Sequence, residues 1–250
     1  MQTISQSKHE PPKKGSKNET SSLKSQAYEY IHAKLLCQEW TSGHAISLRE
    51  IANETGIGFT PVREAINQLV SEGLLESHPQ RGTFVTRITR EDLADLYDVR
   101  EALECHALQK AIDLGIDCDF DTLRNCNESL RNVLEVAVAE KELSKLDELR
   151  ASWSNSDMTF HKTLLLLSGN RLAIRLVQEL RDKTRIFGHR NSLDPKNLEV
   201  ILNDHDRIIA ALEEKNADLA CAEMKKHLRR GCGIALASYD RKRLLSATTQ

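Results

Sequence analysis

Apolar positions recur at helical spacing along most of the chain, and the exceptions fall in one short stretch. Over 23–39, Ala27, Tyr30, Ile31, Lys34 and Leu35 follow a period near that of an α-helix and predict a first helix. Ser47 and Glu50 have the spacing of a capping box, and Ile46 and Ile51 flank it as a hydrophobic staple. A second helix should therefore run over 48–55 and stop at Gly56, where left-handed backbone is cheap. Thr60 as N-cap and Pro61 at the first helical position predict a third helix. Its buried stripe is Val62, Ile66, Leu69 and Val70, and it ends at Gly73.

Beyond Gly73 the period changes. The turn-rich run from His78 through Pro79, Gln80 and Arg81 to Gly82 separates two short extended segments, which predicts a β-hairpin. Helical patterns return from Thr89 and predict helices over 90–114, 120–140, 143–168, 171–190, 195–215 and 217–240. No proline interrupts the interior of these six, and Asn170 and Asn216 fall in short joints. The expected fold is mainly α: an N-terminal winged helix-turn-helix with a small β-hairpin wing, then a C-terminal all-α helical bundle. The expected division is a disordered tail over 1–22, a winged-helix domain over 23–88, a helical domain over 89–240 and a flexible tail over 241–250.

Composition narrows the setting. A hydrophobic content of 40% with 29% charged residues fits a soluble globular protein with a sizeable core. No apolar run is long enough to span a bilayer, and no signal-peptide pattern opens the chain, so a cytoplasmic location without membrane contact is expected. The six cysteines contain no CxxC pair and read as reduced thiols. A net charge of −2, with Glu50, Glu54, Glu64, Glu72 and Glu76 in the N-terminal region, means that any DNA-binding charge must be local. Lys13, Lys14 and Lys17 in the tail could add loose phosphate contacts.

In a helix-turn-helix the second helix enters the major groove. With Val62, Ile66 and Leu69 turned inward, Thr60, Arg63, Glu64 and Asn67 point outward. Arg63 suits a guanine edge or a phosphate, and Asn67 suits adenine. Arg49 is placed for the backbone or an adjacent base, and Arg81 and Gly82 sit at the wing tip, where glycine permits close approach. The stretch from Ser47 to Val85, with its TPVREA core, EGLL segment and GTFV strand, resembles the winged-helix domain of the GntR family of bacterial regulators. That resemblance implies DNA contacts for Arg49, Thr60, Arg63 and Gly82. The family usually carries arginine just before Thr60, whereas this chain has Phe59, which implies a different operator sequence.

The helical half holds a second constellation. Asp157 and His161 share a face of one helix, four residues apart. His205 shares a face with Ile208, Ile209 and Leu212, and His227 with Ala220, Met224 and Gly231, so both should point inward. Three imidazoles and a carboxylate in a bundle interior suit a divalent Zn, Ni, Fe or Mn ion with open positions. A lone inward histidine is usually a hydrogen-bonded core residue, and His32, His44, His78, His106 and His189 have no comparable arrangement. The segments YDVREALE, SDMTFHKTLLLLSGN, DHDRIIAAL and AEMKKHL resemble the FCD ligand-binding domain of FadR-type GntR regulators. In its metal-binding members an Asp and three His hold the ion, and Asp157, His161, His205 and His227 match those positions.

These readings lead to a homodimeric repressor that reads an inverted repeat on double-stranded operator DNA. A small organic acid, held on the metal with help from Arg100, Arg181 or Arg185, would control its affinity. For Arg100 the competing expectation is a surface ion pair with Glu104, four residues on. A metal-dependent hydrolytic enzyme is one alternative, weakened by the want of an evident general base. A constitutive DNA binder with a purely structural metal is another, and a direct metal sensor lies between.

Overall fold

A computed structural model describes residues 22–139, 143–188 and 194–247. Residues 1–21 of the tail expected over 1–22, residues 248–250 of the tail expected over 241–250, the ends of the helices expected at residue 140 and over 189–190, and His189 lie outside the described residues. The N-terminal elements are α1 (Leu23–Leu36), β1 (Ala45–Ile46), α2 (Leu48–Thr55), α3 (Phe59–Ser71), β2 (Leu75–His78) and β3 (Gly82–Val85). The C-terminal ones are α4 (Arg90–Asp113), α5 (Phe120–Ala139), α6 (Leu143–Leu167), α7 (Arg171–Phe187), α8 (Pro195–Glu213) and α9 (Ala217–Ala247).

The wing is a three-stranded antiparallel sheet in the order β1-β3-β2, where the sequence predicted two strands. Leu75 pairs with Val85 and His78 with Gly82, while the added strand pairs Ala45 with Phe84. A two-residue strand is too short to show alternation, so no period could announce it. α2 begins as expected on Ser47, whose hydroxyl accepts the Glu50 amide at 3.2 Å, and stops at Gly56 with φ +69°. The reciprocal pair of a full capping box occurs instead at α4, between Thr89 and Asp92.

α3 corrects another expectation. Its N-cap is Gly58, so Thr60 is the second helical residue and Pro61 the third. Proline is tolerated there because amides throughout the first turn have no intrahelical acceptor to lose. α1 ends at Leu36 rather than Glu39, and α9 continues to Ala247, so residues 241–247 are helical where a flexible tail was expected.

The core falls into clusters. One packs Ala27, Ile31, Leu35, Ile51, Val62, Leu69 and Val85 beneath the wing. A second joins α4, α5, α6, α8 and α9 through residues such as Leu108, Leu123, Phe160, Ile208 and Met224. α7 belongs to both halves of the molecule: Val177 packs in the bundle, whereas Ile186 and Phe187 enter the winged-helix cluster. No helix among the described residues is long and apolar enough to cross a membrane.

Candidate metal centre and nucleic-acid interface

Asp157 and His161 come from α6, His205 from α8 and His227 from α9, and their ligand-type atoms all lie within 4.8 Å of one another. The Nε2 atoms of His161 and His227 are 3.1 Å apart. Asp157 Oδ1 is 3.6 Å from His205 Nε2 and 3.9 Å from His161 Nε2. All three imidazoles are buried.

What lies behind each ring decides what its front can do. His161 Nδ1 is 2.5 Å from a Glu104 carboxylate oxygen, and His205 Nδ1 is 2.9 Å from the Asn127 side-chain oxygen. Both partners accept, so each Nδ1 carries its proton and each Nε2 is left as a bare lone pair. Asp204 stands 3.8 Å from His227 Nδ1 and is itself held by Arg207 and Arg230. His205 Nε2 is fully buried without a hydrogen-bond partner.

The electrostatics keep the His161 and His205 rings neutral. Burial, then the Arg181 guanidinium, bring His161 down to about 4 against the pull of Glu104 and Asp157. Burial likewise takes His205 well below the usual histidine range. Burial alone would raise the Asp157 carboxyl, but the opposing charge, chiefly the Arg181 guanidinium, outweighs it and leaves it below the usual carboxylate range. Glu104 is lowered in the same way, with His161 and Arg100 overcoming burial. Converging lone pairs and a carboxylate repel one another unless a cation lies among them. Imidazole binds such ions at about 2.0–2.1 Å, and donors a few ångströms apart fit that reach. The residues present therefore suit a divalent ion.

The cluster opens onto a cavity of about 70 Å³. Its polar wall includes Tyr97, Arg100, Arg181, Thr184 and Arg185, and Trp153, Leu198 and Ile201 supply apolar lining. Arg181 forms an ion pair with Asp157, and its Nε is buried without a hydrogen-bond partner. Arg100 does pair with Glu104 at 2.9 Å, but both side chains are buried, which overturns the surface alternative. Arg185 is 3.6 Å from Asp182.

In the N-terminal half, Arg49 is exposed in the first turn of α2. Thr60, Arg63 and Asn67 are exposed on α3, opposite the buried Val62, Ala65, Ile66 and Leu69. Arg81 and Gly82 are exposed at the hairpin tip, where Gly82 has φ +102° with open space around it. A side chain there would be strained by backbone conformation, not by crowding.

The profile of the bacterial regulatory proteins of the gntR family matches residues 23–85, and that of the FCD domain matches 95–230. A Streptomyces ambofaciens HTH-type transcriptional regulator in an unstable DNA locus is 30% identical over 205 residues, covering 81% of this chain and 80% of that protein. The chain belongs to the GntR family. Another relative of this GntR regulator is the Escherichia coli K12 HTH-type transcriptional repressor RspR, 25% identical over 217 residues, with 85% of this chain and 88% of that protein covered. The solved structure of E. coli McbR/YncC shares the fold with a TM-score of 0.70 at 19% identity, covering 88% of this chain and all (100%) of that one. The protein is a DNA-binding transcriptional regulator and not an enzyme.

Sequence reasoning missed three residues of this GntR regulator's cluster: Glu104, Asn127 and Asp204. Glu104 had been paired only with Arg100, its neighbour on α4, yet one of its oxygens faces Arg100 and the other faces His161. Asn127 lies 78 positions from the ring it orients, a separation no local motif reports.

Proposed function

We propose that the protein is a cytoplasmic repressor that binds an inverted repeat of operator DNA as a homodimer and is controlled by a small carboxylate effector. The winged-helix unit over 23–88 reads the DNA and the helical unit over 89–240 senses the effector. The observation that carries the reading is the convergence of Asp157 with the buried His161, His205 and His227, of which Asp157, His161 and His227 line an arginine-walled cavity. These four residues hold a divalent Zn, Ni, Fe or Mn ion, which when bound supplies a Lewis-acidic position for a carboxylate. The similarity to RspR, a transcriptional repressor, supports the sign.

The protein's own residues do the rest. Arg100, Arg181 and Arg185 bring positive charge to the cavity wall, where a guanidinium can take a carboxylate in a two-pronged hydrogen bond. The Arg181 Nε–H, buried and unpartnered, is the donor most in need of a ligand. Thr184 and Arg185 lie on the last turn of α7, directly before Ile186 and Phe187 in the winged-helix core. A ligand that pulls on this turn therefore moves the packing beneath α1 and α3. For control to follow, the effector must bind one placement of the wings better than the other.

The test is operator binding by metal-loaded and chelator-treated protein across a panel of small mono- and dicarboxylates. A carboxylate should weaken operator binding by the loaded protein and leave the stripped protein unaffected. Equal responses in both would overturn the role of the ion. A response to metal alone, with no carboxylate effect, would make the protein a direct metal sensor.

Asn127 offers a finer check. Asn127→Ala leaves the His205 Nδ1–H without its acceptor, and metal affinity should fall by about 10–100-fold, the usual worth of such a partner. Competition with a chromophoric chelator measures this, and an unchanged affinity removes Asn127 from the account.

A further inference from the structure

Phe59 is the first residue of α3, and it is 54% exposed. Among the described residues of α2, α3 and the wing, every other large apolar side chain is buried or half-buried. Phe59, Arg63 and Asn67 follow one another at intervals of four and form a single exposed row along α3. The opposite row of the helix is its buried face. At the start of the helix Gly58 places no side chain over the first turn and makes no side-chain cap. The ring of Phe59 therefore stands open at the end of the helix that enters the groove, in line with the two residues suited to base contacts.

We infer that Phe59 is a base-reading residue that packs its ring against the C5 methyl group of a thymine in the major groove. The inference rests on the operator-binding reading above. Its chemistry follows from the groove itself. Every base edge there offers hydrogen-bond donors or acceptors, but only thymine adds an apolar group. A phenylalanine ring has no donor for guanine and no charge for a phosphate, so the one feature it can favour is that methyl. An arginine at this position would instead favour guanine, and its charge would contribute to affinity for any sequence. Phe59 thus exchanges salt-dependent attraction for apolar discrimination.

The test uses the full chain and Phe59→Ala, a substitution at an exposed site that leaves the core untouched. Each protein selects binding sites from a random duplex library. The selected duplex is then titrated with thymine replaced, position by position, by deoxyuridine, which lacks only the methyl. The wild-type protein should enrich one thymine per half-site facing the start of α3. It should bind the matching deoxyuridine duplex about three- to fivefold more weakly, the transfer energy of one methyl group. Phe59→Ala should bind the two duplexes alike. The inference is overturned if Phe59→Ala keeps the thymine preference, or if no thymine replacement affects the wild-type protein. If neither protein enriches any sequence, operator binding itself fails and the inference falls with it.

Discussion

His161→Ala and His205→Ala should each leave the protein without stoichiometric metal after dialysis, with affinity reduced by more than the roughly 100-fold worth of an outer-shell partner. Each substitution removes one of four donors from a site whose remaining donors are fixed by other contacts. Asp157 is tied to Arg181, and Asp204 near His227 is tied to two arginines, so the cluster has little freedom to close over the gap. The neighbours of the lost ring also suffer. In His161→Ala the buried Glu104 keeps Arg100 but loses its second partner. In His205→Ala the ring stacked 3.8 Å from Phe160 is gone. Elemental analysis reads the metal directly, and thermal unfolding with and without chelator supplies a second measurement. The wild-type protein should melt earlier once stripped, because an ion that binds only the folded chain stabilises it by mass action. Neither variant should respond to chelator. His106→Ala, on the exposed side of α4, is the control that keeps its metal. Full metal content in both cluster variants would leave Asp157 and the three histidines as polar residues of the core.

The elements that local pattern could announce are largely those that the structure contains. Ser47 and Gly56 act where their chemistry predicted, because a cap and its helix are neighbours in sequence, and Asn170, expected only in a short joint, caps α7. The inward faces of His205 and His227 were equally legible, since the apolar company along each helix fixes the direction of the ring. Gly58 was the local error: Thr60 and Pro61 fit the start of a helix, yet two further residues fit ahead of them. What sequence could not supply was contact between distant segments. Whether Arg100 faces solvent or a cavity depends on Thr184, 84 positions away, and on how α7 crosses α4. The same holds for α7 itself, whose amphipathic pattern is satisfied by helical burial anywhere and does not name the domain that covers its end.

That end carries the second large expected effect. Phe187→Ala should destabilise the winged-helix half by about 3–5 kcal/mol, the usual loss for truncating a buried phenylalanine. Phe187 is 2% exposed and packs with Ile186 in the cluster formed by Ala27, Ile31, Leu35 and Leu69, so the cavity opens beneath α1 and α3. Further contacts tie the same helix to α1 and the turn that follows it: His32 lies 3.4 Å from Asp182, and Gln38, just past the end of α1, donates to the Ile186 carbonyl. Arg181 and Thr184, less than two turns earlier, line the cavity beside the metal cluster. A single helix end therefore serves as wall of the sensing cavity and as core of the reading domain. Loss of the Phe187 ring should separate those roles. Calorimetry should show a winged-helix transition below that of the bundle, while elemental analysis finds the wild-type metal content. Operator binding should weaken and respond less to the effector. A stability change under about 1 kcal/mol, far below that expected for a buried ring, would show that the reading domain does not depend on α7. An undiminished effector response in a destabilised variant would instead route the coupling through the junction before α4, where Tyr239 of α9 donates to the Ile88 carbonyl at 3.1 Å.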